Sequence, residues 1–107
     1  MVESSIITAL RRYVAALESL DIHASHLVLF GSFARGDSDE FSDIDVIVIS
    51  REFDESIDVS LIEKLWQATI PSDKRIEPIP CGEEEWRTDV CRPILEIARR
   101  EGVVLPT

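Results

Sequence analysis

The chain has 107 residues, is 45% hydrophobic and 30% charged, and carries a formal net charge of −10. That length suits a single domain over residues 1–107 with one core, and no apolar run approaches the roughly 20 residues of a membrane helix. An acidic surface repels phosphate backbones, so duplex DNA or RNA is a disfavoured partner, and no membrane partner is expected.

The start, Met1-Val2-Glu3-Ser4-Ser5, lacks the basic residues and apolar stretch of a secretory signal. The expected location is the cytoplasm. Cys81 and Cys91 form no CxxC pair and have no histidine close in sequence, which points to reduced, structurally passive thiols rather than to zinc.

In chain order, Ile6, Leu10, Tyr13, Leu17 and Leu20 recur at helical spacing, predicting an amphipathic helix over 4–20 that Ser4 or Ser5 caps. Leu27-Val28-Leu29-Phe30 is a continuous apolar run, the pattern of a strand buried on both faces. Ser32 to Arg35 reads as a turn leading into one helical turn that Gly36 ends, and Asp37 to Ser42 as an acidic, solvated loop.

A second strand is expected over 43–50. Ile44, Val46 and Val48 share one face, while Asp43, Asp45, Ile47 and Ile49 share the other. A second amphipathic helix is predicted over about 57–70 with Pro71 as its stop. Trp66 on that helix is expected in the core.

The segment Arg75 to Pro80 reads as extended, and its two prolines confine it to a sheet edge. A short helix over 83–87 follows, in which Trp86 is a candidate half-exposed contact residue. A last helix runs from Pro93 to Glu101, with arginines in its final turn and Gly102 after it. A short strand over 103–105 ends the chain. His23 and His26 read as surface-loop residues. The element order predicts an α/β (α+β) fold: a small mixed sheet flanked by helices.

Two features carry chemistry. Asp43 and Asp45, two apart in a strand, project from one face, which is unfavourable in an apolar strand unless something offsets the repulsion and lost hydration. A divalent cation does so, and hard oxygen ligands suit Mg²⁺; a solvated strand start does so too. Gly31-Ser32, at a tight turn after a buried strand, offers backbone N–H groups, a hydroxyl and close backbone approach to phosphate, with Arg35 one turn on for a charged contact. An ordinary strand–turn–helix has the same local pattern.

Together, Gly31-Ser32-Phe33-Ala34-Arg35-Gly36 and Ser42-Asp43-Ile44-Asp45-Val46-Ile47-Val48 closely resemble the signature of the minimal nucleotidyltransferase family, within the DNA polymerase beta-like superfamily. The ending Arg100-Glu101-Gly102-Val103-Val104-Leu105 is similar to that of small bacterial and archaeal members. The resemblance implies a nucleotidyltransferase core that moves a nucleoside monophosphate, AMP first among the candidates, from an NTP to an acceptor hydroxyl with two Mg²⁺ ions. It implies that Gly31, Ser32 and Arg35 bind the triphosphate of ATP or another NTP, and that Asp43 and Asp45 are catalytic metal ligands.

The resemblance also implies a third catalytic, metal-binding carboxylate from a later strand. Glu77 is the leading candidate, Asp73 competes, and a solvent-facing Glu77 without a catalytic part is the third alternative.

So small a chain leaves the acceptor unexplained. Similar stand-alone proteins pair with HEPN-domain proteins in toxin–antitoxin modules, which makes an HEPN-domain protein the expected partner; association between copies is also compatible with the size. Two further readings stand beside the enzyme: a non-catalytic module that neutralises a partner through the same fold, and an acidic α/β domain without nucleotide chemistry.

Overall fold

The first helix, α1 (Ser4–Ser19), buries Ile6, Leu10, Tyr13 and Leu17 along one stripe. In this computed structural model, which describes residues 2–88 and 92–107, the helix packs on one face of a sheet. Its start is not capped by Ser4 or Ser5: Glu3 occupies the N-cap position with extended backbone, and no side chain caps it. Ser5 instead donates to the Glu3 carboxylate.

The chain continues through β1 (His26–Phe30), α2 (Ser32–Arg35), β2 (Ile44–Ile49), α3 (Glu52–Glu55), α4 (Val59–Gln67), α5 (Thr69–Ser72), β3 (Ile76–Cys81), α6 (Glu83–Thr88), α7 (Pro93–Glu101) and β4 (Val103–Pro106). The strand order is β3-β2-β1-β4. β1 is antiparallel to both β2 and β4, while β2 and β3 are parallel. A parallel pair needs a long crossover, and α3, α4 and α5 supply it. The mixed sheet flanked by helices is the expected fold class.

Two apolar layers follow from the period-2 alternation of the strands. Leu27, Leu29, Ile44, Val46 and Val48 meet α1 and Leu65 of α4. Val28, Phe30, Ile47 and Ile49 meet Leu95 and Ala98 of α7. The two central strands are therefore covered on both faces. Pro78 and Pro80 sit on β3 at the sheet edge, where a missing N–H disrupts no second ladder.

The region between β2 and β3 differs from expectation in three respects. The helix predicted over 57–70 is two helices, α4 and α5, and Pro71 lies inside the second. A proline ring excludes the carbonyl four residues back, which here belongs to Gln67, the last residue of α4. Pro71 thus breaks the helix upstream of itself and is then tolerated in the first turn of α5, where its missing N–H has no helical acceptor. The short helix α3 falls between two expected elements. Trp66 is 48% exposed rather than in the core.

Tyr13 is fully buried and donates its hydroxyl to the Leu65 carbonyl at 2.9 Å, tying α1 to α4. Burial pushes its phenol well above the ordinary range, so it is neutral at physiological pH. Tyr13→Phe leaves that carbonyl without its donor and is expected to destabilise the fold by about 1–2 kcal/mol in a denaturant titration.

Cys81 is buried, and burial first, then Glu85, pushes its thiol up to about 12, which makes it unreactive. Cys91 lies outside the described residues. Among the described residues, no helix is long and apolar enough to cross a membrane.

Candidate functional site

Strand directions bring the motif residues to one end of the sheet. β1 runs out at Phe30 and delivers Gly31. Antiparallel β2 begins beside it, so Asp45 pairs with Phe30. Parallel β3 begins at the same end, and its register sets Glu77 directly opposite Asp45. Adjacent strands lie about 4.8 Å apart, and residues in register project to the same face. Asp45 and Glu77 therefore stand side by side. Asp43 precedes the first residue of β2 and is exposed, so the strand expected over 43–50 begins one residue later.

Gly31 holds φ +76°, and a Cβ there would run into the Asp45 carboxylate, whose Cγ lies 3.3 Å from that position. The turn and the Asp45 carboxylate thus pack closely together, which spacing along the chain does not reveal. Ser32 opens α2, where the first N–H groups have no acceptor inside the helix. Gly36, with φ +85°, closes the helix in the left-handed conformation.

Arg35 is exposed and pairs with Asp37 and with Glu101, each at 3.2 Å. Its charge also reaches Asp45 and favours the ionised carboxylate. Both partners escaped the sequence reading. Asp37 was expected to be a solvated loop residue, and Glu101, at the end of α7, is 66 positions from Arg35 with no local signal linking them.

The carboxylates perturb one another. Burial raises the Asp45 carboxyl above its ordinary range, and repulsion from Asp43 raises it further. Glu77 is raised for the same reasons in the same order: burial, then Asp43, then Asp45. Asp73 behaves oppositely. Arg75 grips both of its oxygens, at 3.1 and 2.8 Å, and holds the carboxyl below its usual range. Asp73 is therefore committed to an ion pair, away from the other three.

Among the described residues, no group of three or more His, Cys, Asp or Glu side chains is drawn together closely enough to form a finished metal cage. The donor set nevertheless suits a hard cation: Asp45 and Glu77 from adjoining strands with Asp43 just before β2, two of them pushed toward protonation first by lost hydration and then by Asp43. Three grooves on the surface, lined among others by Leu10 and Leu105, by His26 and Trp86, and by Ile62 and Ile70, lie away from these carboxylates. Asp43 and Glu77 are exposed and Asp45 is half-buried, so the carboxylates stand on an open ledge.

The remaining singled-out residues lie elsewhere. His23 is exposed and donates its backbone N–H to Glu52. His26 is the first residue of β1. Trp86 is half-buried with the Arg99 guanidinium 4.9 Å over its ring.

The nucleotidyltransferase domain profile matches residues 10–99 of the chain. No curated protein matches it in sequence. A crystal structure of a provisionally assigned nucleotidyltransferase from Sulfolobus solfataricus is similar in fold, with a TM-score of 0.53 and 19% identity over 97% of this chain and 87% of that one. The family match spans both the Gly31-Ser32 turn and the Asp43–Asp45 pair, and the shared fold sets them at one end of a mixed sheet: this chain belongs to the nucleotidyltransferase domain family, with the motif order of its minimal members.

Proposed function

We propose that this protein transfers a nucleoside monophosphate, AMP from ATP, to an acceptor hydroxyl on a protein partner. The observation that carries the proposal is the β2–β3 register, which opposes Glu77 to Asp45 beside the Gly31 turn. The bond broken is the anhydride between the α- and β-phosphates, and the bond formed joins the α-phosphate to the acceptor oxygen; pyrophosphate leaves.

In this reading Gly31 and Ser32 present N–H and hydroxyl donors to the triphosphate, and Arg35 turns from Asp37 and Glu101 to add a charged contact. Asp43, Asp45 and Glu77 would hold two Mg²⁺ ions, and the chemistry such ions supply is charge neutralisation on the phosphates and acidification of the acceptor hydroxyl. Glu77, beside the place where the hydroxyl arrives, takes its proton. The ledge is open enough for a side chain of another protein to reach it. An HEPN-domain protein is the proposed partner, the cytoplasm the proposed location, and one domain over 1–107 the proposed organisation.

Incubating the purified protein with its co-purified partner, Mg²⁺ and ATP labelled in the adenosine moiety tests this. Label on the partner is the expected result. Unlabelled partner whose own activity is nevertheless blocked would instead establish a non-catalytic binding module.

Two substitution experiments refine the site. Glu77→Gln is expected to lower transfer by about a hundredfold, while Asp73→Asn leaves it within a few-fold. The reverse order would move the third carboxylate to Asp73. Arg35→Met is expected to raise the KM for ATP by about tenfold through loss of a charge-assisted contact, with the melting temperature nearly unchanged because the side chain is exposed.

A further inference from the structure

Among the described residues, eight large apolar side chains stand exposed, and five of them fall within residues 57–70: Ile57, Val59, Ile62, Trp66 and Ile70. The last four are spaced by three, four and four residues, so they form one stripe along α4 and α5. The opposite face of the same segment, Leu65 and Ala68, is buried in the core. The outer stripe is therefore a second apolar face that this chain does not cover. Ile62, Trp66 and Ile70, with Glu63 and Gln67, line a groove of about 430 Å³.

The surrounding charge identifies the occupant. Asp58, at the N-cap of α4 beside Val59, and Glu63, in the groove wall, border the stripe, and among the described residues neither takes part in an ion pair. An apolar groove with an unanswered acidic rim complements a helix that is apolar on one side and flanked by Lys or Arg.

A second copy fits poorly. It would bring another net charge of −10 against the same acidic rim. An anionic lipid surface is repelled by the same rim.

We infer that the Val59–Ile70 face is a docking surface for a basic amphipathic helix of a partner protein. The surface is separate from the carboxylate ledge and does not depend on the nucleotide chemistry.

Trp66 reports on the groove directly. With Trp86→Phe it is the chain's single tryptophan. The probes are two synthetic helical peptides of roughly 18 residues, long enough to hold a helix, with the same leucine positions and either lysine or glutamate elsewhere. The Leu/Lys peptide is expected to shift Trp66 emission to the blue saturably, and the Leu/Glu peptide to bind at least about tenfold more weakly. Ile62→Glu is expected to weaken the Leu/Lys peptide by about tenfold even though it adds negative charge, because the apolar anchor is lost.

Ile70→Asp, at a side chain 65% exposed, supplies the same test without touching the core, and circular dichroism checks that each variant is folded. Absence of a blue shift, or binding that both variants leave unchanged, overturns the inference. A concentration-dependent dimer in sedimentation that Ile62→Glu dissociates overturns it in favour of a second copy.

Discussion

Asp45→Asn is expected to lower transfer by about 10³-fold while making the metal-free protein more stable. The activity loss follows from removing the charged oxygen at the centre of the site, which under the proposed function forfeits several kcal/mol of charge stabilisation in the transition state. The stability gain follows from the raised carboxyl of Asp45, caused first by burial and then by Asp43.

The folded state holds the Asp45 proton more tightly than the unfolded chain does. The favourable contribution of this group to stability is therefore complete below the ordinary carboxylate pKa and is lost as the pH rises through the raised folded value. At neutral pH the ionised group strains the fold, and asparagine relieves that strain. Partial solvent access keeps the gain to about 0.5–1 kcal/mol, or about 3–6 °C in melting temperature. Thermal denaturation with EDTA at pH 7.5 measures it, and the difference between the two proteins should shrink toward pH 4. Mg²⁺ with ATP should reverse the order by stabilising the wild type alone, since a ligand at 100 times its dissociation constant adds about 2.7 kcal/mol. A destabilised Asp45→Asn protein at neutral pH would contradict the strain argument, whatever its activity.

Gly31→Ala is expected to damage both fold and activity. The backbone at Gly31 has φ +76°, a region that imposes a cost of about 1–2 kcal/mol on any residue with a Cβ. The added methyl also runs into the Asp45 carboxylate, so relief requires moving the group on which the proposed chemistry depends. Loss of about 2–3 kcal/mol in stability and of nearly all transfer is the expected outcome. A comparison at Gly36 isolates the cause: its φ is +85° but a Cβ there meets nothing within 4 Å. Gly36→Ala should show the backbone cost alone and retain most activity. If the two variants are equally impaired in transfer, contact between the turn and Asp45 is not what makes position 31 special.

Much of the architecture was legible because it rests on local patterns. The unbroken run Leu27 to Phe30 reads as a two-sided buried strand, and the alternation from Ile44 to Ile49 separates the layer under α1 from the layer under α7. Pro78 and Pro80 place β3 at an edge. Where the reading failed, two signals overlapped. Residues 59–70 carry apolar side chains on two faces, and nothing in the pattern says which face finds a neighbour; the structure covers Leu65 and leaves Trp66 half exposed. Pro71 marks a helix break, but its steric effect falls four residues upstream, so the stop appears at Gln67.

The candidate site divides along the same line. The sequence by itself determined the chemical inventory: a glycine turn after a buried strand, two carboxylates on the next strand, an arginine one helical turn away, and a later edge strand bearing an acid. The first three are properties of residue type and spacing within about 15 positions, and the last is read from its own local pattern. Only the tertiary structure decided which groups meet. Glu77 reaches Asp45 because a crossover of three short helices brings β3 back parallel to β2 in one particular register, and a shift of one residue would turn it to the other face. Asp73 is withdrawn by Arg75, Gly31 touches Asp45 across the β1–β2 pair, and Arg35 finds Glu101 from the far end of the chain. Such contacts depend on strand register and layer packing, which summed burial over the whole core sets and which no short stretch of sequence encodes.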